Sequence, residues 1–163
     1  MKLIECKFED HTKNVEKLDL HKYNKIENIS NLIIYGQKGL GKYSQALKII
    51  KKFSSSNLKY ERKFFLEHNK EEYFFPLSDI HTEVDFSMLG CISKSLWHEI
   101  YKNYVDIVLS KPDKKGIMLC KNFDEIHIEL YDVFASYMEL FNEPYDIKFI
   151  ILWRWRPICW LFT

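Results

Sequence analysis

Apolar residues gather along this chain in short runs, separated by segments with helical spacing. Asn31-Leu-Ile-Ile-Tyr35, Gly116-Ile-Met-Leu-Cys120 and Tyr145-Asp-Ile-Lys-Phe-Ile-Ile-Leu152 read as strands, and His81-Thr-Glu-Val-Asp-Phe86 as a further one. Short apolar runs without strict alternation suit parallel strands covered on both faces. Residues 42–53 carry Ala46, Ile49, Ile50 and Phe53 at three- and four-residue steps, which predicts a helix that Ser54-Ser-Ser-Asn57 ends. Residues 94–109 place Leu96, Trp97, Ile100, Tyr101, Tyr104, Ile107 and Val108 on one helical face. Residues 125–141 do the same with Leu130, Val133, Phe134, Tyr137 and Phe141. Lys63-Phe-Phe-Leu-Glu67 and Glu72-Tyr-Phe-Phe-Pro-Leu77 flank the polar His68-Asn-Lys-Glu71, the pattern of a β-hairpin within residues 58–77. Residues 1–30 are a polar lead-in with scattered apolar positions (Leu3, Ile4, Phe8, Val15, Leu18, Leu20), read as a short helix entering the first strand. Strands alternating with helices predict an α/β domain over 31–152, with three layers, a mainly parallel sheet, strand 31–35 central and the hairpin inserted.

Residues 153–163 break from this pattern. Trp153-Arg-Trp-Arg-Pro-Ile-Cys-Trp-Leu-Phe-Thr163 holds three of the four tryptophans and follows neither period. An aromatic–basic run can stack on nucleic-acid bases. Its break in composition favours a premature end, or a shifted reading frame running on from Leu152.

Glycine use changes the picture most. The chain has five glycines, and Gly36, Gly39 and Gly41 fall within six residues, between the first strand and the first helix. Strand, glycine turn and helix N-terminus together form the layout of a phosphate-binding loop, in which backbone N–H groups approach phosphate oxygens closely. Gly36-Gln-Lys-Gly-Leu-Gly-Lys42 fits G-x-x-x-x-G-K, with Lys42 where a lysine reaches the outer phosphates. The pattern then asks for Ser or Thr, whose hydroxyl binds Mg²⁺. Tyr43 stands there, with Ser44 one place late. The predicted contact set for ATP or ADP is Gly36, Gln37, Lys38, Gly39, Leu40, Gly41, Lys42, Tyr43 and Ser44. The phosphates would lie against the amides of residues 38–42.

This order of pieces resembles the nucleotide-binding domain of replication factor C small subunits, the AAA+ clamp loaders that place sliding clamps on DNA. The likeness covers roughly residues 15–152. It rests on Asn31-Leu-Ile-Ile-Tyr-Gly-x-x-Gly-x-Gly-Lys42, on Ile80-His-Thr-Glu-Val-Asp85 after the hairpin, and on the placing of Gly116–Ile126 and Asp146–Leu152. The resemblance implies a three-layer P-loop NTPase fold, AAA+-like, with fellow clamp-loader subunits and a sliding clamp as partners. DNA would be met through that assembly, in the nucleus, cytoplasm or a viral factory. It implies a Walker B motif and a sensor 1 strand at the last two segments. Here the departures begin. With Asp124 at the motif's last acidic position, Lys121 stands at the metal-binding Asp and Asn122 at the Glu that activates water. A lysine does not ligate Mg²⁺ and an asparagine does not take a proton from water. A shifted register makes Asp124 and Glu125 the working pair, at the expense of Lys121 and Asn122 inside the strand. The first register is preferred. The sensor strand, ending at Leu152-Trp153, offers no polar residue. The resemblance therefore implies weak hydrolysis or none, with Asp124 and Glu125 as the remaining catalytic candidates and Mg²⁺ in doubt.

A different class of function stays open: a free-standing small ATPase or nucleotide kinase using Lys42 with Asp124 or Glu125. Such kinases need arginines over the transferred group. The only arginines are Arg62, Arg154 and Arg156, none in a lid-like context.

Bulk properties add limits. The 163 residues suffice for one cored domain. With 24 basic and 23 acidic side chains the net charge of +1 argues neither for nor against nucleic acid. The first residues show no apolar run of a signal peptide, and no stretch reaches the length of a membrane helix. Cys6, Cys91, Cys120 and Cys159 are far apart, which predicts buried thiols in a reducing compartment. The six histidines never take a metal-ligand spacing, and Lys111-Pro-Asp-Lys-Lys115 reads as a solvated basic turn.

Overall fold

The computed structural model describes residues 4–7, 26, 29–90, 93–139 and 143–154. The strands are β1 (Ile4–Lys7), β2 (Leu32–Tyr35), β3 (Arg62–His68), β4 (Glu71–Leu77), β5 (His81–Asp85), β6 (Lys115–Lys121) and β7 (Asp146–Trp153). The helices are α1 (Lys42–Lys51), α2 (Ser93–Leu109) and α3 (Ile128–Met138). One seven-stranded sheet runs in the order β1-β2-β7-β6-β5-β4-β3. The pairs from β1 to β5 are parallel, and β4 and β3 join antiparallel as a hairpin on one edge.

Side-chain alternation along the strands builds the layers. Leu32 and Ile34 of β2, Ile117 and Leu119 of β6, and Ile150 and Leu152 of β7 pack with Ala46, Ile49 and Ile50 of α1. The intervening Ile33, Met118, Cys120, Phe149, Ile151 and Trp153 face the other way, toward Leu96, Trp97, Ile100 and Tyr104 of α2 and Leu130 and Phe134 of α3. Helices thus cover both faces, as the near-continuous apolar runs require. The α2–α3 side is dense in aromatic rings. Phe123 lies 4.7 Å from Phe134, 5.0 Å from Phe86 and 5.2 Å from Trp153, centroid to centroid.

Several sequence expectations are corrected. Residues 4–7 form a strand, where a helix leading to the first strand was expected. β1 pairs parallel with β2, Ile4 opposite Leu32 and Lys7 opposite Tyr35, and so covers the open hydrogen-bonding edge of β2. The other apolar positions of the lead-in, Leu3, Phe8, Val15, Leu18 and Leu20, lie outside the described residues. β2 is therefore second from the edge, and β6 is the middle strand. The helix expected from residue 125 begins at Ile128, because residues 123–125 form a separate 3-10 turn and Ile126 and His127 are extended. Phe141 is outside the described residues. The expected boundary at 153 cuts a strand: Trp153 pairs with Tyr35 and is 6% exposed. Residues 155–163 lie outside the described residues. Lys111 is not a solvated loop charge, since its Nζ donates to the Asp79 carbonyl at 2.8 Å. No helix among the described residues is long and apolar enough to cross a membrane.

Candidate functional site

Parallel pairing brings the carboxyl ends of five strands, β1, β2, β7, β6 and β5, to one edge of the sheet. Tyr35 is opposite Trp153, and Asp85 is opposite Lys121. From β2 the chain passes to α1 on one face, and from β6 to α3 on the other. Loops that diverge in this way open a crevice at the strand ends, where ligands of open α/β sheets bind. A cleft of about 360 Å³ lies there.

The loop of residues 36–41 forms one wall. Gly36 donates its N–H to the Trp153 carbonyl at 3.1 Å, so the loop starts level with the end of β7. Gly39 and Gly41 have φ of 90° and 73°, values that side chains with a Cβ disfavour. Gly41 is the N-cap of α1, with no side-chain cap and no acid in the first turn. The first N–H groups of a helix have no partner within it, and at this helix start Gly41, Lys42 and Tyr43 line the cleft. Lys42 Nζ donates to the carbonyls of Gly36 at 2.6 Å and Gln37 at 2.8 Å, tying the loop down. Burial lowers the Lys42 pKa; the Asp124 charge works against that and Arg154 adds to it.

Of the expected contact residues, Lys38, Gly39, Gly41, Lys42 and Tyr43 line the cleft. Gly36 and Gln37 act through their carbonyls. Leu40 closes the turn, its N–H on the Gln37 carbonyl at 3.5 Å. Ser44 is exposed and is not among the lining residues, so it does not replace the hydroxyl lost at Tyr43.

The opposite wall comes from the end of β6. The strand stops at Lys121, and Asn122 turns it in a left-handed conformation, φ 49°. Phe123 is fully buried and anchors the turn, which carries Asp124 to the cleft. Lys121 and Asn122 line the cleft as well. Glu125 sits on the same turn, outside the lining.

Two contributions were not anticipated. Arg154, directly after β7, lines the cleft beside Leu152. Its guanidinium pairs with Asp124 at 3.2 Å and Glu125 at 3.3 Å, so a polar residue does follow β7. The other is Glu83, on the same sheet face as Lys121 and 6% exposed. Its carboxylate accepts from the Tyr43 hydroxyl at 2.8 Å and from Lys121 Nζ at 3.0 Å, with His81 Nε2 at 3.4 Å. Lys121 Nζ also stands over the Tyr43 ring, 5.5 Å from its centroid. Burial pushes the Glu83 carboxyl up, but hydrogen bonds from His81, Tyr43 and Lys121 and the Lys121 charge bring it down to about 2. A charged residue in a strand covered on both faces needs such partners, which is the one signal in the sequence that pointed to it.

A divalent cation, which the resemblance implies beside the phosphates, does not fit these donors. The Tyr43 hydroxyl is spent on Glu83, Glu83 is spent on Lys121, and Asp124 is paired with Arg154. Basic side chains outnumber acidic ones in the lining, and with Lys121 paired to Glu83 and Arg154 to Asp124 and Glu125, Lys38 and Lys42 are the cations that suit an anion there. No protein-family model and no curated protein sequence matches this chain.

Proposed function

We propose that the cleft is a nucleotide-phosphate site in a P-loop, AAA+-like domain, and that the chain is a clamp-loader-like subunit binding ATP or ADP. The observation that carries this is the junction of β2 and α1. An uncapped helix N-terminus, two glycines at positive φ and the Lys42 ammonium meet at a switch point of a parallel sheet, on a cleft with more basic than acidic side chains. Phosphate oxygens would take the amides of residues 38–42, and Lys42 would exchange its two loop carbonyls for a charge-assisted contact. The cleft's volume lies within the range of small-molecule sites, about 300–1,000 Å³.

Hydrolysis by the isolated chain would be negligible. Phosphoryl transfer relies on positioning and charge neutralisation. Tyr43 and Lys121 supply neither a metal ligand nor a base, and Asn122 cannot serve as one. Removing one such group commonly costs about two to four decades in rate. The role left is architectural: an occupied or empty pocket that shapes contacts with neighbouring subunits and, through them, with a sliding clamp and DNA. The resemblance in sequence order supports those partners. The competing reading is a free-standing ATPase or kinase, which the presence of Asp124 on the cleft wall favours. ATP turnover by the purified chain separates the two. The proposal predicts none above background. Mg²⁺-dependent turnover abolished by Asp124→Asn or Glu125→Gln would promote the enzyme reading instead.

A further inference from the structure

We infer that the phosphate site works without a divalent cation, Lys121 standing in for it, so that nucleotide is bound as the metal-free anion. This rests on the nucleotide-binding reading above and goes beyond it by stating which form of the ligand the site takes.

The argument is one of donors and charges. Each carboxylate of the wall opposite the loop already holds a partner, through both oxygens in Glu83 and through one in Asp124 and Asp85. Glu83 Oε1 takes Tyr43 and His81, and Oε2 takes Lys121. Asp124 takes Arg154, and Asp85 Oδ1 takes the Asn122 amide at 2.8 Å and the Ser87 hydroxyl at 2.6 Å. The residue after the loop lysine holds its oxygen on Glu83 rather than toward the cleft. Drawing Glu83 to a metal would strip the Lys121 ammonium and the Tyr43 hydroxyl of their shared acceptor. A second positive charge is already in place: Lys121 lines the same cleft as Lys42. An ammonium has three donors, and the bond to Glu83 uses one of them. Glu83 and the face of the Tyr43 ring hold this ammonium where the strand ends, so it is positioned before any ligand arrives. A divalent cation between the phosphates and this wall would share the cleft with Lys121 and Lys42, like charges repelling like.

The test is the affinity of ADP and ATP, by calorimetry, in EDTA and in millimolar Mg²⁺. Binding at least as tight in EDTA is the expected result. Binding about tenfold or more tighter with Mg²⁺ would overturn the inference and leave the nucleotide site standing. No binding in either buffer would overturn the nucleotide reading itself, and this inference with it. A folded Glu83→Gln/Lys121→Met double variant, which removes the ion pair as a unit, should lose about tenfold or more in EDTA affinity. Unchanged EDTA affinity in that variant would take Lys121 out of the account.

Discussion

Glu83 takes donors from Tyr43, Lys121 and His81 on a carboxylate that solvent barely reaches, and its ionisation is built into the stability of the fold. Its folded pKa of about 2 lies below the ordinary 4.5. A depressed pKa stabilises the fold fully above the unfolded value, and the benefit is lost as pH falls through the folded value. Ionised Glu83 thus adds to stability at neutral pH. Wild-type stability in urea should therefore fall between pH 4.5 and about 2 more steeply than that of Glu83→Gln. Parallel pH profiles would show that Glu83 does not carry this term. Legibility at this scale was uneven. Lys42 and the loop glycines announced themselves because their spacing is dictated by backbone geometry. Glu83 and Arg154 did not, because their roles come from strands brought together across long sequence separations. Arg154 was masked further by a composition that breaks just before it.

Among the elements, β6 shows how closely strand and helix are fitted. A Cβ on Gly116 would stand 2.5 Å from Tyr104 Oη and 2.8 Å from Val108 Cγ2. Tyr104 cannot yield easily, since its hydroxyl donates to the carbonyls of Ile117 at 2.9 Å and Ile80 at 3.1 Å from a fully buried position. Gly116→Ala should cost about 1–3 kcal/mol through overpacking, read by chemical denaturation. A loss below about 0.5 kcal/mol would mean that α2 shifts freely over the sheet. The hairpin and the three buried strands were legible because their apolar runs exceed what a loop tolerates. The start of α3 was not. His127 is its N-cap and makes no side-chain cap bond, so the sequence carries no capping signal there. β1 was missed because four residues are too few to show a period; its pairing is set by the open edge of β2.

For the whole molecule, the order β2-β7-β6-β5 with helices on both faces places loop, turn and strand end around one cleft. The α/β class and the parallel sheet were readable from alternation alone. The position of the hairpin at one edge and of β1 at the other depended on pairing, which no local pattern encodes. The central claim is that this cleft holds nucleotide phosphates through the loop and Lys42. Equilibrium binding of ADP to wild type and to Lys42→Ala, with folding checked by thermal denaturation, tests it most directly. Loss of the ammonium should weaken binding by about 1.5–3 kcal/mol, roughly tenfold or more. Equal affinity in the two proteins, or no binding by the wild type, would show that the loop is a structural turn and contradict the account.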